Sequence, residues 1–150
     1  MNQKKKEELA WAAGFFDGEG NLCTGTLNDK FKFMFLKLSL HQAGTLEEPP
    51  DTLLKFQKAL DGLVSVKGPY LRKESPTRKP IWIARAQKHE TVIKIIEMLW
   101  PWLGEAKRNQ AQDAMDKVKS YLNDPARRRV GNHYRYTEYG KPTKSGLSGI

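Results

Sequence analysis

The hydrophobic and polar positions change their period along the chain and predict an alternation of helices and strands. Helical spacing in the first segment ends at the glycines Gly18 and Gly20, which are typical helix stop signals. Further on, Met34, Leu36 and Leu38 alternate with other residues at the period of two that a half-buried strand shows. The predicted elements, in chain order, are a helix over 7–18, strands over 21–28 and 31–40, a helix over 53–60, strands over 63–73 and 81–86, and helices over 91–100 and 105–122.

Composition and charge indicate one folded domain with a polyanionic partner. A chain of 150 residues with 39% hydrophobic residues has the material for one core. Its net charge of +9 favours nucleic acid as partner, with an anionic membrane surface second, although many small proteins are basic without either partner. After Asp124 the sequence becomes basic and rich in tyrosine and glycine. We therefore expect one domain over 1–124 and a tail over 125–150 that either contacts DNA or is simply solvated.

Several classes of protein are disfavoured by the sequence. Cys23 is the single cysteine, so the chain holds no internal disulfide and no cysteine-based zinc site. Glu7 and Glu8 precede an apolar run that is too short for a signal peptide, and no segment approaches the length of a membrane span. We expect an intracellular, cytoplasmic protein without a membrane partner or a small-molecule cofactor.

The first helix has a face made of small residues. Ala10, Gly14 and Gly18 are four residues apart and share this face, with Ala13 beside it. Small side chains let two helix backbones approach closely. A glycine inside a helix costs about 1 kcal/mol relative to alanine, so two of them call for a reason. The face predicts contact with another helix, either within the chain or from a second copy.

Two acidic residues end the same helix. Asp17 and Glu19 lie where the helix dipole disfavours negative charge, so a positive group is expected to compensate them. A divalent cation is one candidate, because carboxylates and helix-end carbonyls are hard oxygen ligands. Two solvated acids in a turn are the simpler alternative.

This stretch resembles a known family. The segment "AAGFFDGEG", residues 12–20, is similar to the LAGLIDADG motif of homing endonucleases, with Gly14, Asp17 and Gly20 identical and Glu19 in place of the second aspartate. The predicted element order also matches the αββαββα core of that family over residues 7–122. The resemblance implies an α+β fold in which an antiparallel, saddle-shaped sheet binds DNA and the helices cover its other face.

The resemblance also implies an activity. One motif in the chain implies a homodimer that makes a double-strand break across the minor groove of a long, roughly palindromic DNA target. Glu19 and the carbonyl of Gly18 would bind the metal, expected to be Mg²⁺, with Mn²⁺ as a substitute and Ca²⁺ binding without supporting cleavage. Asp17 would support the helix end of the partner. The residues implied at the dimer interface are Ala10, Ala13, Gly14, Asp17 and Gly18.

Two further catalytic positions follow from the resemblance. Gln42, at the end of the second strand, and Lys107, ahead of a Gln-Ala pair in the last helix, match positions that hold the water network around the cleaved phosphate. Each has a structural alternative, Gln42 as a polar strand end and Lys107 as a solvated helix lysine.

Alternation along the strands selects the side chains that would face DNA. A register error of one residue would exchange this face for the core face. Phe33 and Phe35 share the parity of Lys37, which indicates either a bulge or apolar contacts to thymine methyl groups. The predicted DNA-binding residues are Asn21, Cys23, Gly25, Lys37, Ser39, Tyr70, Arg72 and Arg85, with Arg127, Arg128, Arg129 and Arg135 in the tail.

Two other functions compete with the endonuclease. One is a non-cleaving nucleic-acid-binding protein of the same fold, either an intron maturase or a DNA-binding regulator. The other is a small basic structural or ribosome-associated protein. The acid Glu19 at the end of a small-faced helix favours the enzyme.

Overall fold

A computed structural model describes residues 1–28, 33–72 and 77–124, together with the backbone of 135–136 and 142–143. A 3₁₀ turn, Trp100–Trp102, separates the last two helices. The elements are α1 (Gln3–Glu19), β1 (Gly20–Asn28), β2 (Phe33–Ala43), α2 (Asp51–Ala59), β3 (Ser65–Tyr70), β4 (Ile81–Ala86), α3 (His89–Leu99), α4 (Glu105–Leu122), β5 (Arg135–Tyr136) and β6 (Pro142–Thr143).

Four strands form one antiparallel sheet in the order β1-β2-β4-β3. Gly20 pairs with Leu40, and Leu40 pairs on its other side with Ala84. The leucines of β2 at positions 36, 38 and 40 are fully buried with helix residues in a single core. The helices therefore cover one face of the sheet, which confirms the predicted α+β fold class.

No helix of the described residues covers the other face of the sheet, and we call it the open face. Residues paired across antiparallel strands share a face, so the register assigns each side chain to one side or the other. The open face holds Asn21, Cys23, Gly25, Phe35, Lys37, Ser39, His41, Ala43, Ser65, Lys67, Tyr70, Ile81, Ile83 and Arg85.

The first helix begins earlier than its apolar spacing predicts. α1 starts at Gln3 because the side chain of Asn2 accepts a hydrogen bond from the Lys5 backbone N–H at 2.8 Å and caps the helix. The last helix, α4, has the predicted bounds.

The third strand is shorter than the predicted 63–73, and its pairing is irregular at the glycine-proline pair. The pairing of β3 with β4 shifts between Lys67 and Tyr70. Gly68 lies within this shift with φ 153°, and a Cβ there would be 2.7 Å from the ring of Trp82. The shift places Lys67 and Tyr70 on the same face, although simple alternation assigns them to opposite faces.

Candidate nucleic-acid interface and active site

Helix α1, which contains most of the segment 12–20, leads directly into strand β1. The backbone N–H of Gly20 donates to the Phe16 carbonyl and closes α1. A Cβ on Gly20 would overlap the ring of Phe16, so glycine lets the chain turn at this point. Glu19 is thereby fixed at the junction of α1 and the sheet.

Glu19 carries an exposed carboxylate at the end of α1. No hydrogen bond or ion pair engages its side chain among the residues that the structure describes. Within the same ranges, no group of three or more His, Cys, Asp or Glu side chains could hold a metal ion. One chain therefore offers the Glu19 carboxylate and nearby backbone carbonyls such as that of Gly18. These hard oxygen donors suit Mg²⁺, which keeps several of its waters.

Asp17 is engaged within its own chain. Both of its carboxylate oxygens accept from the backbone N–H of Gly104, at 3.1 and 2.9 Å, immediately before α4. The positive end of the α4 dipole therefore compensates this acid. The positive group expected near Asp17 is thus a helix N-terminus of its own chain rather than a cation, and the role of Asp17 at a partner's helix end stays a prediction.

Two side chains of α4 also bind the start of the sheet. Lys107 donates to the Gly20 carbonyl at 2.9 Å, and its Nζ lies 5.1 Å from the centre of the Phe16 ring. Gln110, one helical turn further along, donates to the Leu22 carbonyl at 3.0 Å. Lys107 is thus held at the backbone of Gly20, the residue that follows Glu19. Gln110 belongs to the same arrangement and was missed, although the Gln-Ala pair in the sequence was a signal for it.

Gln42 lies on the helix-facing side of its strand. It has the parity of Leu38 and Leu40, pairs with Trp82 and is half-buried. Gln42 lies two residues beyond Leu40, which pairs with Gly20, so Gln42 is at the end of the sheet that carries Glu19. The structure gives the Gln42 side chain no contact with Glu19 or Lys107.

The small face of α1 is open to solvent in the single chain. Gly14 and Gly18 are exposed, Ala10 is half-buried, and a Cβ added at either glycine would have no atom within 4 Å. Ala13 is fully buried because it shares the core side of the helix with residues one turn away, Leu9 and Phe16. The predicted interface role of Ala13 is therefore wrong.

The open face carries positive charge. Lys37, Lys67 and Arg85 lie on it, and the four strands of this sheet contain no Asp or Glu. No ion pair neutralises these three side chains within the described part of the chain. Arg72, just beyond β3, is also exposed. Such a surface suits a phosphate backbone.

Two predicted DNA contacts differ from expectation. Ser39 has the predicted parity, but it is only 2% exposed between its strand neighbours Asn21 and Arg85, so it does not reach a ligand. Gly25 lies under the ring of Phe35, which would be 2.8 Å from an added Cβ. This packing accounts for an aromatic residue on the open face.

The other predicted DNA contacts either lie on the open face, as expected, or fall outside the described residues. Asn21 and Tyr70 are exposed on the open face, and Cys23 is half-buried there. His41 and Lys67 are also exposed on this face, although the predicted contacts do not include them. Alternation already gives His41 the parity of Lys37, whereas Lys67 is brought to this face by the register shift at the glycine-proline pair. The predicted contacts of Arg127, Arg128, Arg129 and the Arg135 side chain lie outside the described residues.

Comparison with known proteins identifies the fold. No protein-family model and no curated protein matches the sequence. Among solved structures, the homing endonuclease I-CvuI in complex with a DNA target superimposes with a TM-score of 0.63 at 22% identity, covering 98% of this chain and 94% of that chain. The LAGLIDADG homing endonuclease I-GzeII, also bound to DNA, gives 0.58 at 14% identity over 81% of this chain and 40% of its own.

A further neighbour is the LAGLIDADG homing endonuclease I-SmaMI, bound to cleaved DNA, with a TM-score of 0.57 at 16% identity over 95% of this chain and 47% of that one. The chain thus spans about half of the I-GzeII and I-SmaMI chains but nearly all of I-CvuI. In the described ranges, no helix is both long and apolar enough to cross a membrane. The chain has the fold of the LAGLIDADG homing endonucleases.

Proposed function

We propose that this chain is a divalent-metal-dependent DNA endonuclease that acts as a homodimer on a long, roughly palindromic target. The observation that carries the proposal is the position of Glu19. This exposed carboxylate, without a partner among the described residues, ends a helix whose exposed face carries Gly14 and Gly18, where an added Cβ would meet no described atom within 4 Å. The structural neighbours bound to DNA support the choice of substrate.

The dimer is proposed to form through the small face of α1. Gly14 and Gly18 are exposed and have free space where a Cβ would be, so a second helix backbone can approach closely. A two-fold axis through this face brings the same surface of both copies together. Because Glu19 ends the same helix, the axis places both Glu19 carboxylates at one end of the interface, and each can serve one DNA strand.

The metal is proposed to be held by the carboxylate of Glu19 and the carbonyl of Gly18 from the two copies. A bound divalent cation supplies charge stabilisation for phosphodiester hydrolysis. Mg²⁺ is the expected ion, Mn²⁺ a substitute, and Ca²⁺ an ion that binds without supporting cleavage. The I-CvuI complexes were obtained in the presence of 2 mM Mg, with the DNA not cleaved, and of 2 mM Ca.

The chain's own residues orient the phosphate and bind the duplex. Lys107, held by the Gly20 carbonyl beside Glu19, offers a positive charge where negative charge develops on the phosphate. The open face, with Lys37, Lys67 and Arg85, follows the DNA backbone and presents side chains to the major groove. We also retain the proposal that the basic segment 125–150 contacts DNA.

A cleavage assay tests this function. The purified chain is incubated with Mg²⁺ and a pool of DNA duplexes that contain a randomised central segment, and the ends of cut molecules are sequenced. Cutting at a shared motif is expected from the parent chain and from Glu7→Gln, which makes the same chemical change at an exposed position of α1. Glu19→Gln is expected to bind the selected sites without cutting them.

Two outcomes contradict the proposal. Cutting by Glu19→Gln at the parental rate would exclude the metal role of Glu19. Selective binding without any cutting by the parent chain, with Mg²⁺ or Mn²⁺, would favour the non-cleaving maturase or regulator instead.

A further inference from the structure

Two isoleucines interrupt the charged surface of the open face. Along β4, Trp82 and Ala84 are buried in the core, whereas Ile81 and Ile83 point to the opposite side and are half-buried. No helix covers this side of the sheet in the described part of the chain. Both isoleucines therefore keep apolar surface in contact with water.

The register extends this apolar surface across three strands. Ile81 lies between Ala43 of β2 and Tyr70 of β3, and Ile83 is the next residue of β4 on the same face. Ala43 is exposed and Tyr70 is 45% exposed. We call Ala43, Tyr70, Ile81 and Ile83 the isoleucine patch. Contiguous exposed apolar residues of this kind mark interaction surfaces more often than single ones do.

The charges around the patch indicate what covers it. Lys67 pairs directly with Ile83, and Arg85 follows two residues further along β4 on the same face. No acidic residue occurs in the four strands of this sheet. The occupant must therefore be a polyanion that carries exposed apolar groups. The thymine C5-methyl group, which projects into the major groove of DNA, has this character.

We infer that the isoleucine patch contacts thymine methyl groups, so that each half of the target carries thymine where Ile81 and Ile83 meet the major groove. This inference rests on the proposed DNA-binding function. Gly20, which follows Glu19, pairs with Leu40, and Ile83 pairs with the next residue, His41. The patch thus lies at the end of the sheet that carries Glu19. The thymines are placed closer to the cleavage position than the base pairs that Lys37 contacts.

Replacing thymine by deoxyuridine tests the inference, because uracil lacks only the methyl group. Binding sites are first selected from the randomised duplex pool and sequenced. Each thymine of a selected site is then replaced singly, and dissociation constants are measured by fluorescence anisotropy without divalent cations. Removing one contacted methyl group is expected to weaken binding about fourfold. Ile83→Thr and Ile81→Thr keep a β-branched side chain and are each expected to abolish the effect at one thymine.

Lys37→Met is the matched control, since it removes a positive charge from the same face at a position that pairs with Cys23 and not with a residue of the patch. It is expected to weaken binding to thymine and uracil duplexes equally and to reduce the salt dependence. Selected sites without enriched thymine, or uracil effects that persist in both isoleucine variants, would overturn the inference while leaving DNA binding intact. Failure of the parent chain to bind any duplex would instead overturn the proposed function and the inference together.

Discussion

Two groups of glycines in this chain differ in what surrounds them. Gly20, Gly44 and Gly68 each lie against an aromatic ring, from Phe16 in the first case and Trp82 in the other two. An added Cβ would overlap those rings, so the fold itself requires these glycines. Gly14 and Gly18 have no atom within 4 Å of an added Cβ, and yet they occupy a helix, where glycine is costly.

The difference shows how a single chain can reveal a surface made for something else. A glycine under a ring is explained by the chain that contains it. Under the proposed dimer, a helical glycine without a close neighbour among the described residues is explained by the approach of a second copy. The first group should therefore respond to substitution through folding, and the second through association.

The largest expected effect is at Gly20. Gly20→Ala places a methyl group against the ring and the backbone carbonyl of Phe16, and the carbonyl cannot move without opening the end of α1. We expect the free energy of unfolding to fall by about 3 kcal/mol in urea denaturation. A loss no larger than that of an exposed surface substitution would show that this end of the helix relaxes freely.

Gly14→Ala should affect folding and association in opposite directions. The free energy of unfolding of the single chain should rise by up to about 1 kcal/mol, because alanine favours the helix and meets no atom. The dimer dissociation constant should rise at least about tenfold in sedimentation equilibrium, since the added methyl separates the two backbones. Asn109→Ala, at an exposed position of α4, is the control for helix propensity. An unchanged dimer would exclude Gly14 from the interface.

Gly25 should be intermediate, since the obstacle there is a side chain. Gly25→Ala brings a methyl group to 2.8 Å from the edge of the Phe35 ring, which can rotate away. We expect a loss of about 1 kcal/mol. Phe35→Leu removes the ring, so Gly25→Ala should cost much less free energy of unfolding in that background. A double-mutant cycle measures this coupling between the two positions. Additive losses would show that the ring does not limit Gly25.

The smallest expected effect is at Asp17. Asp17→Asn keeps an acceptor oxygen for the Gly104 N–H but removes the negative charge beside the α4 N-terminus. The free energy of unfolding should fall by about 0.5 kcal/mol at low ionic strength, and by less in high salt. An effect independent of salt would contradict the electrostatic explanation.

Periodicity alone recovers most of the fold. The leucines of β2 and the apolar spacing of α4 predict their elements because each buries one side. The glycine-proline pair indicates where β3 departs from alternation, but the pairing that puts Lys67 and Tyr70 on one face depends on contact with β4. Local patterns cannot encode such a contact.

In the candidate site, too, local patterns predict some features, whereas contacts between distant residues are not predictable from them. The small face of α1 and the exposure of Glu19 follow from helical spacing and the motif. The partner of Asp17 does not, because Gly104 is far away in sequence and donates through its backbone. Ala13 was misplaced because a small residue beside the stripe fits a core position equally well.

Disulfide trapping tests the α1 interface most directly. In a Cys23→Ser background, cysteine replaces Ala10, Gly14 or Gly18 in turn, and the purified chains are oxidised and examined on a non-reducing gel. Identical residues at a two-fold helix contact come close enough for a disulfide in at least one variant. We expect a covalent dimer there, but not with Asn109→Cys on α4. If none of the three variants forms a covalent dimer above the level of Asn109→Cys, the glycine face of α1 is not where two copies meet.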